Sequence, residues 1–456
     1  MRRVVKVSRI RIIITIIVVV LTTLLTGCTG KEPNEIAYVV ALGIDSTDDD
    51  NYKITIQYAN TTQISGGASE SGGKSGSEIV DNVTIEAPNI YAGVGLANNI
   101  VSKSFSMSHA KLIVFSKEIA EKGVKDMIET LVRSEEIRPD VFIAVANTTA
   151  NDYLTSVNPE MEVNPAQYYQ LIYQKNQLVG IPDGQLREFF TGLYTDNYDS
   201  ILPVAGVIEG AGGNSQNDDK GQSKDGQNEG SEGSSESLDS FESKSSDDKD
   251  ENEKEKDAEK NTSKYEYDIK NYVGGETAIE KKNKAEAIGA AVFEKDKMVG
   301  ELGEVETEIC KMLKGDYTYS YLTYYNNDTP DIPITVKTTQ QKKPKYKIDT
   351  DKKTVDIELY IESDLYSLPA DYNVENKIED FERDVANYTS SACTEFINNF
   401  TKKYNSDILK LNEKVKYKFL TNNQYNWFKK NVGWSEYKFS VCTNFKVRRT
   451  GLIVRE

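Results

Sequence analysis

The sequence predicts an α+β protein of two to three mixed α/β domains with antiparallel-rich sheets, preceded by a cleaved signal and interrupted by a disordered acidic insertion. Three observations carry this reading. Strand-like and helix-like segments alternate through the first half, and the second half holds several short strands with one long amphipathic helix. Residues 209–264 have Leu238 and Phe241 as their only large apolar side chains. The expected division is a signal at 1–27, an N-terminal domain at 28–208, the insertion at 209–264 and a C-terminal α+β domain at 265–456.

The chain opens with Arg2, Arg3, Lys6, Arg9 and Arg11 and no acidic residue, then turns apolar from Ile12 to Leu25. That run is shorter than the roughly 20 residues that cross a bilayer core, so it reads as the charged and apolar regions of a secretory signal and not as a spanning helix. Leu25-Thr26-Gly27-Cys28 closes it and resembles a bacterial lipobox, in which cleavage falls between Gly27 and Cys28 and the Cys28 thiol carries the lipid. Two acyl chains, each burying about 0.8 kcal/mol per methylene, make a stable anchor where one is marginal. The expected mature protein therefore sits on a membrane surface.

Next come two strands, EIAYVVALGID and YKITIQYA, the second alternating Tyr52, Ile54, Ile56 and Tyr58 with polar residues, joined by STDDDN as a hairpin. Asp45, Thr47 and Asp49 fall at alternate positions of a possible calcium loop. Asp50 stands where glycine is needed and Ile56 where a bidentate Glu belongs, so calcium is rejected. A Ser/Gly stretch at 61–78 reads as a solvated loop. Pro88 opens a helix that spaces Ile90, Val94, Ala97 and Val101 at helical intervals, followed by a strand at KLIVFS, a helix at KEIAEKGVKDMIETLVRS and a strand at VFIAVAN.

The insertion carries 17 acidic and eight basic side chains in 209–264, a composition that cannot bury enough surface to offset the entropy of ordering. ILPVAGVIE before it and AEAIGAAVFEKDKMVGEL after it are both strand-like. It therefore reads as an enlarged loop between strands. Beyond it lie strands at YTYSYLTYY, DIPITVKTT and KTVDIELYIE. A long helix follows with Ile378, Phe381, Val385, Ala392, Phe396 and Phe400 on one face, and the last strand puts Tyr437, Phe439, Val441, Phe445 and Val447 on one side and Cys442 on the other.

Composition narrows the function classes. The formal net charge of −17 becomes −22 once the five cations of residues 1–27 leave, an acidic exterior that argues against nucleic acid or anionic lipid headgroups as partners. Cys310, Cys393 and Cys442 are far apart, forming neither a zinc site nor a disulfide framework. His109 is the one histidine, so His clusters are excluded. It is expected as a hydrogen-bonded structural residue at the entrance to a buried strand, in preference to a pH sensor. No G-x-S-x-G, H-E-x-x-H, partnered S-x-x-K or Gly-rich phosphate loop occurs, and no catalytic, cofactor or metal residue is nominated. The run Arg133-Ser134-Glu135-Glu136-Ile137-Arg138 reads either as a partner-facing surface or as a local ion-pair network at a helix end.

Several phrases in order resemble the Ger(x)C lipoproteins, the C subunits of spore-germination nutrient receptors. They are EIAYVVALGID with YKITIQYA, SHAKLIVFSKEIAEKGVKDMIETLVRSEEIRPDVFIAVAN, ILPVAGV, AIGAAVFEKDKMVGEL, NSDILKL and NWFKKNVGWSEYKFSVCTNFKVRRTGLI, with the lipobox at Cys28. The resemblance implies a non-enzymatic lipoprotein on the outer face of the spore inner membrane, working with A and B integral-membrane receptor subunits in nutrient-triggered germination. It makes 28–208 a germination-lipoprotein domain and carries over Cys28 alone as a site. The 209–264 insertion departs from the family pattern in length. The competing reading is a solute-binding lipoprotein of an importer, disfavoured because the second half lacks the doubly wound lobes of that class.

Overall fold

A computed structural model describes residues 13–18, 35–49, 51–59, 80–158, 162, 164–174, 180–195, 197–208, 271–277, 283–325, 333–367 and 377–450. Cys28, the lipobox, the 61–78 stretch and the 209–264 insertion lie outside them. Residues 13–18 are helical, and among the described residues no helix is long and apolar enough to cross a membrane.

Strands β1 (Ile36–Ser46) and β2 (Tyr52–Ala59) form the expected hairpin, with Ser46 opposite Tyr52, and β3 (Val80–Ala87) pairs antiparallel to β2. Asn89 then caps α1 (Ile90–Ala97), its Oδ1 accepting the Ala92 N–H at 2.9 Å. The spacing predicted helix as far as Val101, but α1 stops at Ala97. Asn98 Oδ1 accepts the Phe105 N–H at 2.8 Å, and Val101 packs on the core from the loop. The short β4 (Ser104–Ser106) runs parallel to the first residues of β1.

From here the chain builds parallel strands: β5 (Leu112–Ser116), α2 (Lys117–Lys122), α3 (Lys125–Val132), β6 (Phe142–Ala146), α4 (Ala150–Ser156), α5 (Pro165–Gln174), α6 (Leu186–Thr195) and β7 (Ile201–Val207). Helical crossovers connect β5 to β6 and β6 to β7, and such crossovers are what parallel pairing requires. The single helix expected over 117–134 is two. Gly123 sits at φ +123°, outside helical space, and breaks it. Strands β8 (Ala285–Glu294) and β9 (Lys297–Leu302), on the far side of the insertion, complete this sheet. β7 and β8 pair antiparallel, the arrangement expected of an enlarged loop between strands.

The resulting order is β3-β2-β1-β5-β6-β7-β8-β9, with β4 alongside β1. Both faces are covered. Leu42, Ile44, Ile113, Phe115, Ile143 and Val145 pack against α1, α2, α3 and α6, whereas Val40, Leu112, Val114 and Ala144 pack under the tyrosines of α4 and α5. That double coverage explains the near-continuous apolar runs LIVFS and FIAVA.

Helix α7 (Glu304–Lys314) leads into a second sheet of β10 (Tyr319–Tyr325), β11 (Pro333–Gln340), β12 (Lys345–Asp349) and β13 (Thr354–Ser367). Helix α8 (Ile378–Lys403) lies over it. The chain continues through α9 (Leu411–Val415), a 3-10 turn (Lys416–Lys418) and α10 (Asn422–Asn431) to β14 (Lys438–Arg449), which pairs parallel with β13. On α8 the buried stripe is Phe381, Val385, Tyr388, Cys393, Phe396, Ile397 and Phe400; Cys393 takes the core position expected of its neighbour Ala392, which is half-buried. Phe439, Val441 and Phe445 of β14 point inward and Cys442 outward, as the alternation predicts. One apolar cluster joins Ile201, Val292 and Leu302 of the first sheet to Ile357, Phe396 and Phe439 of the second half, so the two sheets share a core.

Candidate functional site

Where α8 ends, the segment Asn405-Ser406-Asp407 crosses to the first sheet and binds it through two side chains and one backbone N–H. Ser406 Oγ donates to the Phe293 carbonyl at 2.8 Å, Asn405 Nδ2 donates to Glu294 Oε1 at 2.9 Å, and the Asp407 N–H donates to Asp199 Oδ2 at 2.8 Å. Asp199 also accepts the Lys295 N–H through Oδ1 at 2.8 Å. The buried Asp407 carboxylate accepts the N–H groups of Leu411 and Asn412, each at 2.8 Å, and so caps α9 from outside the helix. Burial, with the Asp199 carboxylate nearby, pushes the Asp407 carboxyl up to about 7, against the pull of those two N–H bonds.

Lys410 takes a left-handed backbone conformation at φ 57°, pairs with Glu188 and sets its ammonium 4.2 Å from the centre of the Tyr198 ring. Tyr198, Asp199, Lys295, Asp407, Asn412 and Trp434 are among the walls of a cavity of about 320 Å³. Its hydrogen bonds are those of a polar seam between two packed halves. The buried Cys310 and Cys393 thiols are pushed up to about 12 by burial, unsuited to nucleophilic or metal-binding roles, and among the described residues no group of three acidic, Cys or His side chains is placed to hold a metal.

The residues singled out by the sequence have structural partners. Asp45 is buried and accepts the N–H groups of Ala150 and Asn151 at 2.6 and 3.0 Å, capping α4. His109 is exposed and not enclosed: its Nδ1 lies 3.0 Å from Ser108 Oγ, and its ring meets Tyr38 edge-on at 4.8 Å, because β5 begins only after His109 has turned out of the sheet. In the run 133–138, Arg133 pairs with Glu129 at 3.1 Å, Arg138 with Asp140 at 3.3 Å, and Glu136 accepts the Met107 N–H at 2.7 Å. The cations therefore pair with residues flanking the run, and the run forms one wall of an open cleft of about 790 Å³ opposite Tyr91, Val94 and Asn98.

The Asp199–Asp407 contact was not foreseen. Its local trace is an Asp four residues before the first residue of a short helix, outside the usual N-cap position, which Lys410 holds.

Two family models match the chain in order. The model described as "Spore germination protein N-terminal domain" covers residues 30–207, and "Spore germination B3/ GerAC like, C-terminal" covers residues 288–451. Among curated proteins, "Spore germination protein KC" of Bacillus subtilis (strain 168) is 26% identical over 174 residues, 35% of this chain and 42% of that one. "Spore germination protein B3" of the same organism is 26% identical over 148 residues, 30% of this chain and 36% of that one. These alignments span less than half the length of the relatives. The solved "Crystal Structure of the GerBC protein" superposes with a TM-score of 0.47 at 15% identity, covering 89% of this chain and 96% of that one.

Proposed function

This chain belongs to the Ger(x)C family of spore germination proteins, and from that membership we propose that it is the lipid-anchored C subunit of a germinant receptor. It works with A and B integral-membrane subunits on the outer face of the spore inner membrane and takes part in nutrient-triggered germination without itself catalysing a reaction. The observation that supports this reading best is the succession of basic residues, apolar run, Leu25-Thr26-Gly27-Cys28 and then two germination domains in order, the first beginning at residue 30.

Anchoring matters apart from folding. A chain confined beside its membrane partners meets them at a far higher effective concentration than one dissolved in a compartment. Spores of the parent, of the gene deletion and of Cys28→Ala are compared for dipicolinic acid release after addition of candidate nutrients, in a background lacking receptors of overlapping specificity. Fatty-acid labelling of the protein is followed in parallel. The deletion is expected to abolish or slow the response to particular nutrients, and Cys28→Ala to lose the label and respond poorly. Normal germination of the deletion with every nutrient overturns the receptor reading, and label retained by Cys28→Ala overturns the anchor.

A further inference from the structure

The acidic total of the chain conceals a basic, aromatic face. Between Leu411 and Asn431 lie Lys414, Lys416, Lys418, Lys429 and Lys430 against the single acidic Glu413; Lys414 donates to the Leu409 carbonyl, Lys418 to the Ile348 carbonyl and Lys429 to Asn197, while Lys416 and Lys430 are exposed. In the same stretch Tyr417 is 79% exposed, Leu420 95% and Trp427 64%. The sequence offers a bland role for Leu420: it precedes the cap Thr421 and stands where a hydrophobic staple onto Tyr425 would begin. Its exposure rules that role out. Beneath the exposed residues, Phe419, Tyr425, Phe428 and Trp434 form a packed aromatic base, with Phe419 and Phe428 centred 5.0 Å apart and Phe428 and Trp434 5.8 Å apart, so the face is held rigidly.

The direction of this face follows from strand polarity. β1, β5, β6 and β7 are parallel, so their first residues lie along one edge of the first sheet. The chain enters at that edge, at Ile36. Asn197, which leads into β7 at the same edge, accepts the Tyr425 hydroxyl at 3.1 Å and the Lys429 ammonium at 3.2 Å, so α10 hangs from the edge where the chain enters. Three strand spacings of about 4.8 Å separate β1 from β7, roughly 14 Å. Eight residues link Cys28 to Ile36, a reach of at most about 28 Å.

We propose that the Lys416–Lys430 face docks on the anionic surface of the bilayer that holds the Cys28 lipid, with Trp427, Leu420 and Tyr417 entering the interfacial layer and the exposed Lys416 and Lys430 facing lipid phosphates. Aromatic rings and long cationic side chains are the groups that interfacial segments use for this purpose. The inference rests on the anchored reading of Cys28. A docked face fixes the orientation of the protein on the membrane, which a lipid tether alone leaves free.

The test uses the full lipidated chain reconstituted in vesicles. Flotation in high salt reports the anchor. Quenching of tryptophan fluorescence by brominated lipids reports docking, with Trp427→Phe identifying the signal against the buried Trp434. Quenching is expected in vesicles with about one third phosphatidylglycerol and to fall at least about twofold in pure phosphatidylcholine, in about 0.5 M salt, or in Lys416→Glu/Lys430→Glu. A chain that floats without Trp427 quenching overturns the docking. Quenching by a chain that fails to float supports the docking and refutes the anchor. A benzophenone side chain at position 427 that captures protein and no lipid in spore membranes also overturns the proposal and assigns the face to a protein partner.

Discussion

The backbone N–H of Asp407 donates to Oδ2 of Asp199 at 2.8 Å, and the Asp199 N–H returns a bond to the Asp407 carbonyl at 3.2 Å. This reciprocal pair, 208 residues apart in sequence, joins the end of the long helix to the approach of β7. Asp407 thus serves both halves: its backbone belongs to the seam, and its carboxylate holds the first turn of α9. The cost of an unsatisfied buried N–H, about 1–3 kcal/mol, explains why so short a segment needs so many partners.

The seam should make stability depend on pH. Burial holds the Asp407 carboxyl at about 7, above its ordinary value of 3.8, so between those pH values the folded chain binds more protons than the unfolded one. The stabilisation is complete below about pH 4 and is lost as pH rises toward and through 7, by at most about 4 kcal/mol. Glu308, lifted by burial to about 7, adds a slope of the same sign. Urea unfolding of the ectodomain at steps from pH 4 to 8 is expected to show this fall, with a flatter profile in Asp407→Asn. Parallel profiles for the parent and the variant would remove Asp407 as the source.

Gly206→Ala is expected to destabilise strongly. A Cβ at that position of β7 would lie 2.1 Å from the backbone of Gly274 and Gly275, where the chain returns from the insertion and Asn147 Nδ2 donates to the Gly274 carbonyl at 2.7 Å. Backbone on both sides cannot give way as a side chain does, so the cost belongs at the upper end of overpacking, about 3 kcal/mol. Gly95→Ala is the counterpart. Its Cβ meets nothing within 4 Å on the exposed side of α1, and the change should be neutral or stabilising by up to about 1 kcal/mol. Urea midpoints of the two variants check the contrast, and equal stability of Gly206→Ala and the parent would refute the close approach.

Much of the fold was legible where one local rule dominates. The period-two alternation of the last strand and the apolar stripe of α8 read correctly because one face of each is buried; YKITIQYA alternates as well, but its polar Thr55 and Gln57 are buried under the helices of the other face. Elements set by partners were less visible. β12, KYKID, is polar and short, and it exists because β13 offers an antiparallel edge across the turn after Asp349. β4 is three residues that need the start of β1 beside them. The split between α2 and α3 was written at Gly123, but a lone glycine within a helical pattern is tolerated often enough that only its positive φ reveals the break.

The functional surfaces were less legible still. The basic face around Trp427 disappears in a whole-chain charge of −17, and only exposure separates Leu420 and Trp427 from Phe419 and Phe428, which share their composition and neighbourhood. The seam depends on residues such as Asp199 and Asp407 that no local pattern links.

Deleting residues 212–262 should leave the folded body intact and stabilise it slightly. The strands on either side pair directly, Val207 opposite Ala285, so the connection closes a loop whose ends already meet. Closing a flexible loop costs about (3/2)RT ln n, and shortening this connection roughly threefold recovers about 1 kcal/mol. The removed stretch is also strongly acidic, and losing it lessens the self-repulsion of a chain whose net charge is −17. The segment that must remain begins at Asn271, whose side chain accepts the Val305 N–H at 3.0 Å and donates to Glu306 Oε2 at 3.0 Å at the start of α7. Thermal unfolding of the ectodomain with and without residues 212–262 is the measurement. An unchanged or slightly higher midpoint is expected, and a fall of more than about 5 °C, on the order of 1 kcal/mol or more, would show that the deleted residues contribute packing.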